Sequence, residues 1–294
     1  MALRSRVNLR RRVLFRLATS AALERASGRV SAVQRGLYRL ARRYVLASRD
    51  DALRVASELG RQGIEVSIDY FGEQETSEER SRRAAAEFGS LAGELISIPT
   101  AHLSVDLSHI GVDISPALAL ELLEEIARHL PSGRLIQVGA EDEARRASIK
   151  QVLLDGAERG LPLSATVQAN LLSAEEDGLA YVRAGLPVRL VKGAYVERSD
   201  VSRPWGPETD TAYIELARRF RAAGGRVMLA THDPVVRVGA EDETRSDEVE
   251  MLLGVREGDA RSLAASGRTV RVYVPYGERW FRYWMRRLAE AQGK

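Results

Sequence analysis

The sequence predicts an α/β fold: a (βα)8 TIM-type barrel with extra N-terminal helices. Eight short β-rich runs recur along the 294 residues, and amphipathic helical patterns lie between them. Several runs begin directly after a glycine-containing turn, which is typical of a helix that has just ended. Eight such units favour a closed parallel barrel over an open sheet, because closure leaves no edge strand exposed.

The strands follow one another at regular intervals. In chain order they are IEVSIDYFG (64–72), HLSVDLS (102–108), RLIQVGA (134–140), SATVQANL (164–171), VRLVKGAY (188–195), RVMLATHD (226–233), DEVEMLLGV (247–255) and RTVRVYVPYG (268–277). Between them, segments such as 115–130 and 210–224 place apolar residues three and four apart, the spacing of a helix with one buried face.

The chain divides into an N-terminal helical segment, 1–45, and a barrel domain, 46–294. The first segment carries six arginines by residue 16 and no acidic residue before Glu24. A basic amphipathic helix on the protein surface explains this pattern, and contact with a membrane surface or a targeting role stays open. No apolar run approaches the ~18 residues of a membrane span.

Composition narrows the functional classes. The chain has no cysteine, so disulfide and thiolate chemistry are excluded and a reducing cytoplasm fits. The formal net charge is only +3, and no basic stripe interleaved with aromatic residues indicates nucleic-acid binding. The histidines show no metal-ligand spacing, so we expect no metal site. We therefore expect a cytoplasmic protein, with peripheral contact at the inner membrane surface as an open alternative.

Polar side chains collect where the predicted strands end. The catalytic groups of such barrels lie at the carboxyl ends of the strands. The residues at those ends include Asp69, Asp106, His109, Glu141, Asp142, Gln168, Asn170, Lys192, Tyr195, Thr231, His232, Asp233, Glu250, Tyr273 and Tyr276. This concentration at one mouth predicts an enzyme acting on a small molecule.

The fifth strand holds two cations among apolar residues, in PVRLVKGAYVE (187–197). Arg189 and Lys192 need partners there, since burying an unpaired charge costs several kcal/mol. Lys192 stands out further, because the 44 basic residues comprise 41 arginines and only three lysines. The partner is either an internal carboxylate or an anionic ligand.

Three segments, taken in order, resemble the proline dehydrogenase family. They are RLVKGAYVE (189–197), LATHDP (229–234) and VRVYVPYGERWFRYWMRRLAE (270–290). The family resembled is a flavin-dependent (βα)8 barrel, an oxidoreductase of amino acid metabolism that oxidises L-proline to Δ1-pyrroline-5-carboxylate. The resemblance begins near Ala41. It implies that FAD is the cofactor and that FAD is the anionic partner of Arg189 and Lys192.

The resemblance also implies residue roles. Those near the flavin are Gln168, Arg189, Lys192, Gly193, Ala194, Thr231, His232 and Ala140. The paired arginines Arg286 and Arg287 match those that bind the substrate carboxylate, and bidentate guanidinium contacts suit that group. The walls of the substrate site match Tyr195, Tyr273, Tyr283 and Leu252, and Glu290 matches a glutamate that supports the gate.

The sequence departs from the family pattern at three strand positions. Asp106 stands where the family has a lysine that helps to bind the substrate carboxylate, and Gly139 stands where it has an aspartate. Glu250 replaces a glutamine near the flavin. Because Asp106 reverses a charge in the substrate site, a related imino acid or N-substituted amino acid is an alternative to L-proline, unless Asp106 points to the surface.

The sequence leaves two other functions open. A flavin-binding barrel of the same family without proline turnover could act as a partner or regulator. An unrelated barrel could use Asp106, Glu141 and Asp142 for acid/base or metal chemistry. The sequence does not identify the electron acceptor, whether a quinone or a soluble one, or the oligomeric state.

Overall fold

The eight predicted strands form a closed parallel barrel. The computed structural model describes residues 38–72, 74–246, 248–277, 280, 283, 284 and 287. Each strand pairs with the next along the chain and the last pairs with the first. The strands are β1 (Glu65–Tyr70), β2 (Ala101–Val105), β3 (Ile136–Val138), β4 (Leu163–Gln168), β5 (Val188–Val191), β6 (Val227–Ala230), β7 (Glu248–Leu252) and β8 (Thr269–Tyr276).

A helix precedes β1 and a helix lies between each pair of successive strands. They are α1 (Arg49–Gly60), α2 (Glu78–Glu94), α3 (Pro116–Ala127), α4 (Arg146–Glu158), α5 (Ala174–Arg183), α6 (Pro207–Ala222), α7 (Pro234–Thr244) and α8 (Glu257–Ala265). Side chains of Ser48, Ser115 and Asp233 accept hydrogen bonds from the first backbone N–H groups of α1, α3 and α7. Such N-caps fix where a helix begins.

Most of the strands end earlier than the sequence pattern predicts. The fifth was expected over 188–195 but ends at Val191, and Gly193 then takes a φ of +118°. That conformation is unfavourable for a residue with a β-carbon, so the glycine turns the chain out of the sheet. The residues beyond the strand become a loop over the mouth, where they can face a ligand.

The barrel has an apolar outer face and a polar interior. Apolar strand residues such as Val66, Leu103 and Leu190 belong to one core with the helices. Gln137 on β3 contacts Glu250 on β7, and these strands are not neighbours, so the two side chains meet across the barrel. TIM barrels more often fill this space with branched apolar residues. Here the interior is built to hold charge.

A second, smaller core covers one side of the mouth. Its buried members are Ala41, Val45, Phe71, Trp280, Tyr283 and Trp284. The chain just before α1 therefore packs against the segment that follows β8. The predicted N-terminal segment, 1–45, lies mostly outside the described residues, and its boundary stays a prediction. Within the part of the chain that the structure describes, no helix is long and apolar enough to cross a membrane.

Candidate active site at the carboxyl ends of the strands

A cavity of about 820 Å³ opens at the carboxyl ends of the strands. It brings together every predicted site residue that the structure describes. These are Asp106, Ala140, Gln168, Arg189, Lys192, Gly193, Ala194, Tyr195, Thr231, His232, Leu252, Tyr273, Tyr283 and Arg287. Arg286 and Glu290 lie outside the described residues, so their placement stays a prediction.

Arg189 and Lys192 face internal carboxylates, which corrects the interpretation that a ligand phosphate must neutralise them. Arg189 Nε lies 2.7 Å from Glu250 Oε2. Lys192 Nζ lies 2.5 Å from Asp210 Oδ1 and 2.9 Å from Asp233 Oδ2. These acids come from β7, from the first turn of α6 and from the cap of α7. The sequence could not show that they converge on β5, but both cations still line the cavity.

Gln168 joins the end of β4 to both neighbouring strand ends. Its side-chain amide donates to the carbonyl of Glu141 at 2.8 Å, and its oxygen accepts from the N–H of Ala194 at 3.3 Å. These bonds fix the side chain and the loop after β5 together. The side-chain oxygen of Asn170 is buried without a hydrogen-bond partner and lies 2.0 Å from where a β-carbon of Gly193 would be. Only glycine fits position 193.

The carboxylate of Glu250 is the centre of a buried ionic network. Arg271 donates to it at 3.1 Å and the amide of Gln137 donates to both its oxygens, at 2.7 and 2.9 Å. Arg271 also contacts Glu65 at 2.7 Å, at the opposite end of the barrel from the cavity. Despite partial burial, contacts with His102 and Arg271 lower the pKa of Glu65 to about 2.

Tyr273, Tyr283 and Arg287 form one wall of the cavity. The Tyr273 hydroxyl donates to Asp69, and the rings of Tyr273 and Tyr283 stack with centroids 6.0 Å apart. The guanidinium of Arg287 lies 4.9 Å from the Tyr283 ring centroid, within cation–π range. Burial, and next the Asp69 carboxylate, raise the pKa of Tyr273 well above its ordinary value. Tyr273 therefore keeps its proton at neutral pH.

Asp106 lies directly after β2 and lines the cavity, so it is not a residue of the outer surface. A β-carbon at Gly139 would lie 1.9 Å from Asp106 Oδ1, so the carboxylate occupies the space that a side chain at 139 would need. The two departures from the family pattern are thus physically linked. Burial, and next the Asp106 charge, raise the pKa of Glu141 to about 8.

The backbone of β7 orients the ring of His232. Its Nε2 accepts a hydrogen bond of 3.0 Å from the N–H of Leu252, which requires that nitrogen to carry no proton. Thr231 accepts from the N–H of Asp233 at 3.2 Å. These contacts tie the end of β6 to the end of β7 and to the start of α7, so three elements set this side of the cavity.

Several residues of the site were given no individual role from the sequence. Asp69, Asp210 and Asp233 pair with predicted residues, and Trp205 and Arg256 line the cavity. Asp69 and Asp233 were noted near the ends of predicted strands, and that position is the signal that could have given them a role. Nothing in the local pattern distinguishes Asp210 or Arg256 from the many other charged residues at helix starts.

Comparison with known proteins gives a consistent result. A family model described as proline dehydrogenase matches residues 52–294. Proline dehydrogenase 1 of Bacillus subtilis (strain 168) is 32% identical over 261 residues, which are 85% of this chain and 86% of the relative. Proline dehydrogenase 2 of the same organism is 29% identical over 245 residues, covering 79% and 80%.

The fold also matches a solved structure. Proline utilization A from Bdellovibrio bacteriovorus, described as inactivated by N-propargylglycine, superposes with a TM-score of 0.79 at 20% identity. The match covers 89% of this chain and 33% of that one, so the chain spans about a third of the longer protein. At this identity the likeness concerns the fold. The family assignment rests on the match of the family model over most of the chain: this chain belongs to the proline dehydrogenase family.

Proposed function

We propose that this protein is a flavin-dependent dehydrogenase that oxidises L-proline, or a closely related imino or N-substituted amino acid, with FAD as its cofactor. The observation that carries the proposal is the gathering of the fourteen described candidate residues around one cavity. Family membership supplies the reaction type, the oxidation of a CH–NH bond by a flavin.

The residues present fit a flavin. The cavity volume, about 820 Å³, lies in the upper part of the usual range of roughly 300–1,000 Å³ for ligand sites. Lys192, which also pairs with Asp210 and Asp233, and Arg256, which also pairs with Asp259, line the cavity as hydrogen-bond donors for a diphosphate. Gly193 leaves backbone exposed where a side chain would clash. Arg189 and Gln168 supply polar contacts for a ring system.

A bound flavin would accept a hydride from the carbon beside the substrate nitrogen. The chain's own residues would orient the substrate for that transfer. Arg287, with Arg286, would bind the carboxylate, because paired guanidinium groups hold a planar anion in a fixed direction. Tyr273 and Tyr283 would pack against the ring of the substrate and exclude water. The substrate loses two electrons as hydride and one proton from nitrogen, which gives the imine.

Asp106 bears on which substrate is used. A unit charge about 4 Å from another is worth roughly 4 kcal/mol at an effective dielectric near 20. A carboxylate on the cavity wall therefore weakens the binding of a substrate carboxylate that approaches it and favours an amino group. Substrates with a more exposed or an additional amine therefore suit this wall better than they would suit a wall that carried the family's usual lysine.

We further propose that a quinone reoxidises the flavin, and that the protein works in the cytoplasm at the inner membrane surface. The membrane contact is supported by the first 16 residues, which carry six arginines and no acid, a composition that favours anionic lipid. Co-sedimentation with anionic vesicles that falls as the salt concentration rises would support contact with the membrane surface. Equal sedimentation with neutral vesicles would contradict it.

An anaerobic titration tests the function. The FAD-loaded protein is mixed with L-proline, and separately with N-methylated and cyclic analogues, while the visible absorption of the flavin is followed. We expect bleaching by at least one of these substrates, and covalent inactivation by N-propargylglycine. A protein that holds flavin but is bleached by none of them would contradict dehydrogenase activity.

A further inference from the structure

The floor of the cavity is held by charges that run through the barrel interior. Glu250 and Arg189 both line the cavity, while Arg271 and Glu65 extend the network below them. Glu250 and Arg271 are each 3% exposed. The network therefore links the cavity floor to the opposite mouth of the barrel without passing through bulk water.

The charges of this network balance. Glu65 and Glu250 are each paired with arginine, and the two arginines are Arg189 and Arg271. His102 lies 3.6 Å from Glu65 and stays neutral near pH 7, because burial lowers its pKa below the ordinary value. Two carboxylates and two guanidinium groups sum to zero. Removing one member leaves a net charge in a region with little water to screen it.

A carboxylate is needed at position 250 for geometric reasons. Its two oxygens accept from Arg271, accept twice from the amide of Gln137 and lie beside Arg189 Nε. A glutamine has one acceptor oxygen and would turn its own N–H groups toward a donor. The position is therefore specified for an anion that holds two cations in fixed places.

We propose that Glu250 is a positioning residue that fixes Arg189 at the cavity floor and, together with Arg271, sets the reduction potential of the bound flavin. This inference rests on the proposed function. Reduction adds negative charge to a flavin, so a more positive floor stabilises the reduced form and a more negative floor stabilises the oxidised form. Protein charge beside a cofactor is a general means of tuning its potential.

Opposite shifts in two variants test the proposal. In the flavin-loaded protein, Glu250→Gln should raise the potential and Arg271→Gln should lower it. Each shift should be at least about tenfold in the equilibrium constant for reduction, which is about 30 mV for a two-electron couple. The potential is measured by anaerobic titration against reference dyes, and no turnover is needed.

Glu248→Gln is the matched control. Glu248 lies two residues earlier on β7 and pairs with Arg226 at 2.7 Å through both oxygens, but it does not line the cavity. Its loss should leave the potential unchanged. Equal shifts in all three variants, or none in Glu250→Gln and Arg271→Gln, would overturn the role of Glu250.

The outcomes separate this inference from the proposed function. If the wild-type protein takes up no flavin, both fail. If it takes up flavin and the potentials do not move with the charges, only the inference fails. If Glu250→Gln does not fold, Arg271→Gln decides: a lowered potential supports the proposal, and an unchanged or raised one overturns it.

Discussion

The side chain of Tyr273 has two roles: its hydroxyl makes a buried hydrogen bond, and the residue lines the cavity. The hydroxyl donates to Asp69, which is 1% exposed. Tyr273→Phe removes that donor from a buried carboxylate, so we expect the free energy of unfolding to fall by about 1–3 kcal/mol. Because Tyr273 also lines the cavity, the KM for the substrate should rise. Urea unfolding and steady-state kinetics measure the two effects.

Tyr213→Phe is the control for that prediction. The buried Tyr213 hydroxyl donates to the carbonyl of Leu190 at 3.0 Å but does not line the cavity. Its loss should lower stability and leave KM unchanged. A KM shift of equal size in both variants would show that Tyr273 acts only through stability.

The close approach of the Asp106 carboxylate to position 139 leads to a second prediction at the residue scale. Gly139→Ala places a β-carbon 1.9 Å from Asp106 Oδ1, so the carboxylate must move and kcat/KM should change. In an Asp106→Ala background the same substitution should have no further effect. We expect a coupling of about 0.5–3 kcal/mol between the two sites, measured by a double-mutant cycle.

A second glycine controls for general effects of alanine. Gly93 lies in the last turn of α2, and a β-carbon there would meet nothing within 4 Å. Gly93→Ala should be neutral in kinetics and neutral or slightly favourable in stability. Strictly additive effects of the two site substitutions would mean that Asp106 and Gly139 are independent.

The raised pKa of Glu141 leads us to expect that stability depends on pH. Its pKa is about 8 in the folded protein, against an ordinary value of 4.5. Between these values the folded protein holds a proton that the unfolded chain has lost, so the unfolding free energy falls as pH rises from about 4.5 through 8. Glu141→Gln keeps an oxygen for the N–H of Ser108 and cannot ionise, so it should flatten this fall.

Urea unfolding between about pH 5 and pH 8 measures the slope. Glu215→Gln is the comparison, because two arginines lower the pKa of exposed Glu215 to about 2 and its effect lies below this range. Identical slopes in wild type and Glu141→Gln would contradict the raised pKa.

At the scale of elements, Lys192 connects the end of β5 to α6 and α7 through two ion pairs. Its ammonium lies between Asp210 and Asp233, and Asp233 caps α7 at the N–H groups of Val235 and Val236. Lys192→Met leaves two like charges facing each other and removes a cation from the cavity. We expect the flavin content of the purified protein to fall several-fold, measured by absorption.

Lys150→Met is the matched control. Lys150 also bridges two acids, Glu176 and Asp177, but it lies between α4 and α5 and away from the cavity. The same chemical change there should leave the flavin content at the wild-type level. Equal loss in both variants would mean that the effect of Lys192 is not local to the site.

The elements could be predicted from sequence because local patterns determine them. All eight strands and the barrel class follow from β-rich runs and intervening helical periodicity, and the structure confirms them. The strand ends were predicted too late, since apolar character continues into loops such as the one at Gly193. The cavity-lining residues at strand ends were predictable because strand ends converge in a parallel barrel, whereas Tyr283 and Arg287, which follow β8, were predicted only from the family resemblance.

The partners across the molecule could not be predicted. Glu250 meets Arg189 and Arg271, and Asp210 meets Lys192, through tertiary contacts that no local spacing encodes. The sequence therefore left open whether the partners of Arg189 and Lys192 are internal carboxylates or a ligand, and the structure supplies internal carboxylates for both. A single sequence reveals which charges are costly to bury, and only the folded chain reveals which charges offset them.

At the scale of the whole molecule, the proposed function depends on one ligand in the barrel mouth. The most direct measurement is equilibrium binding of FAD to the flavin-free protein, followed by dialysis and an absorption spectrum. We predict one FAD for each chain, with retained flavin absorption that L-proline or an analogue bleaches under anaerobic conditions. A folded protein that retains no flavin at saturating FAD would contradict the account.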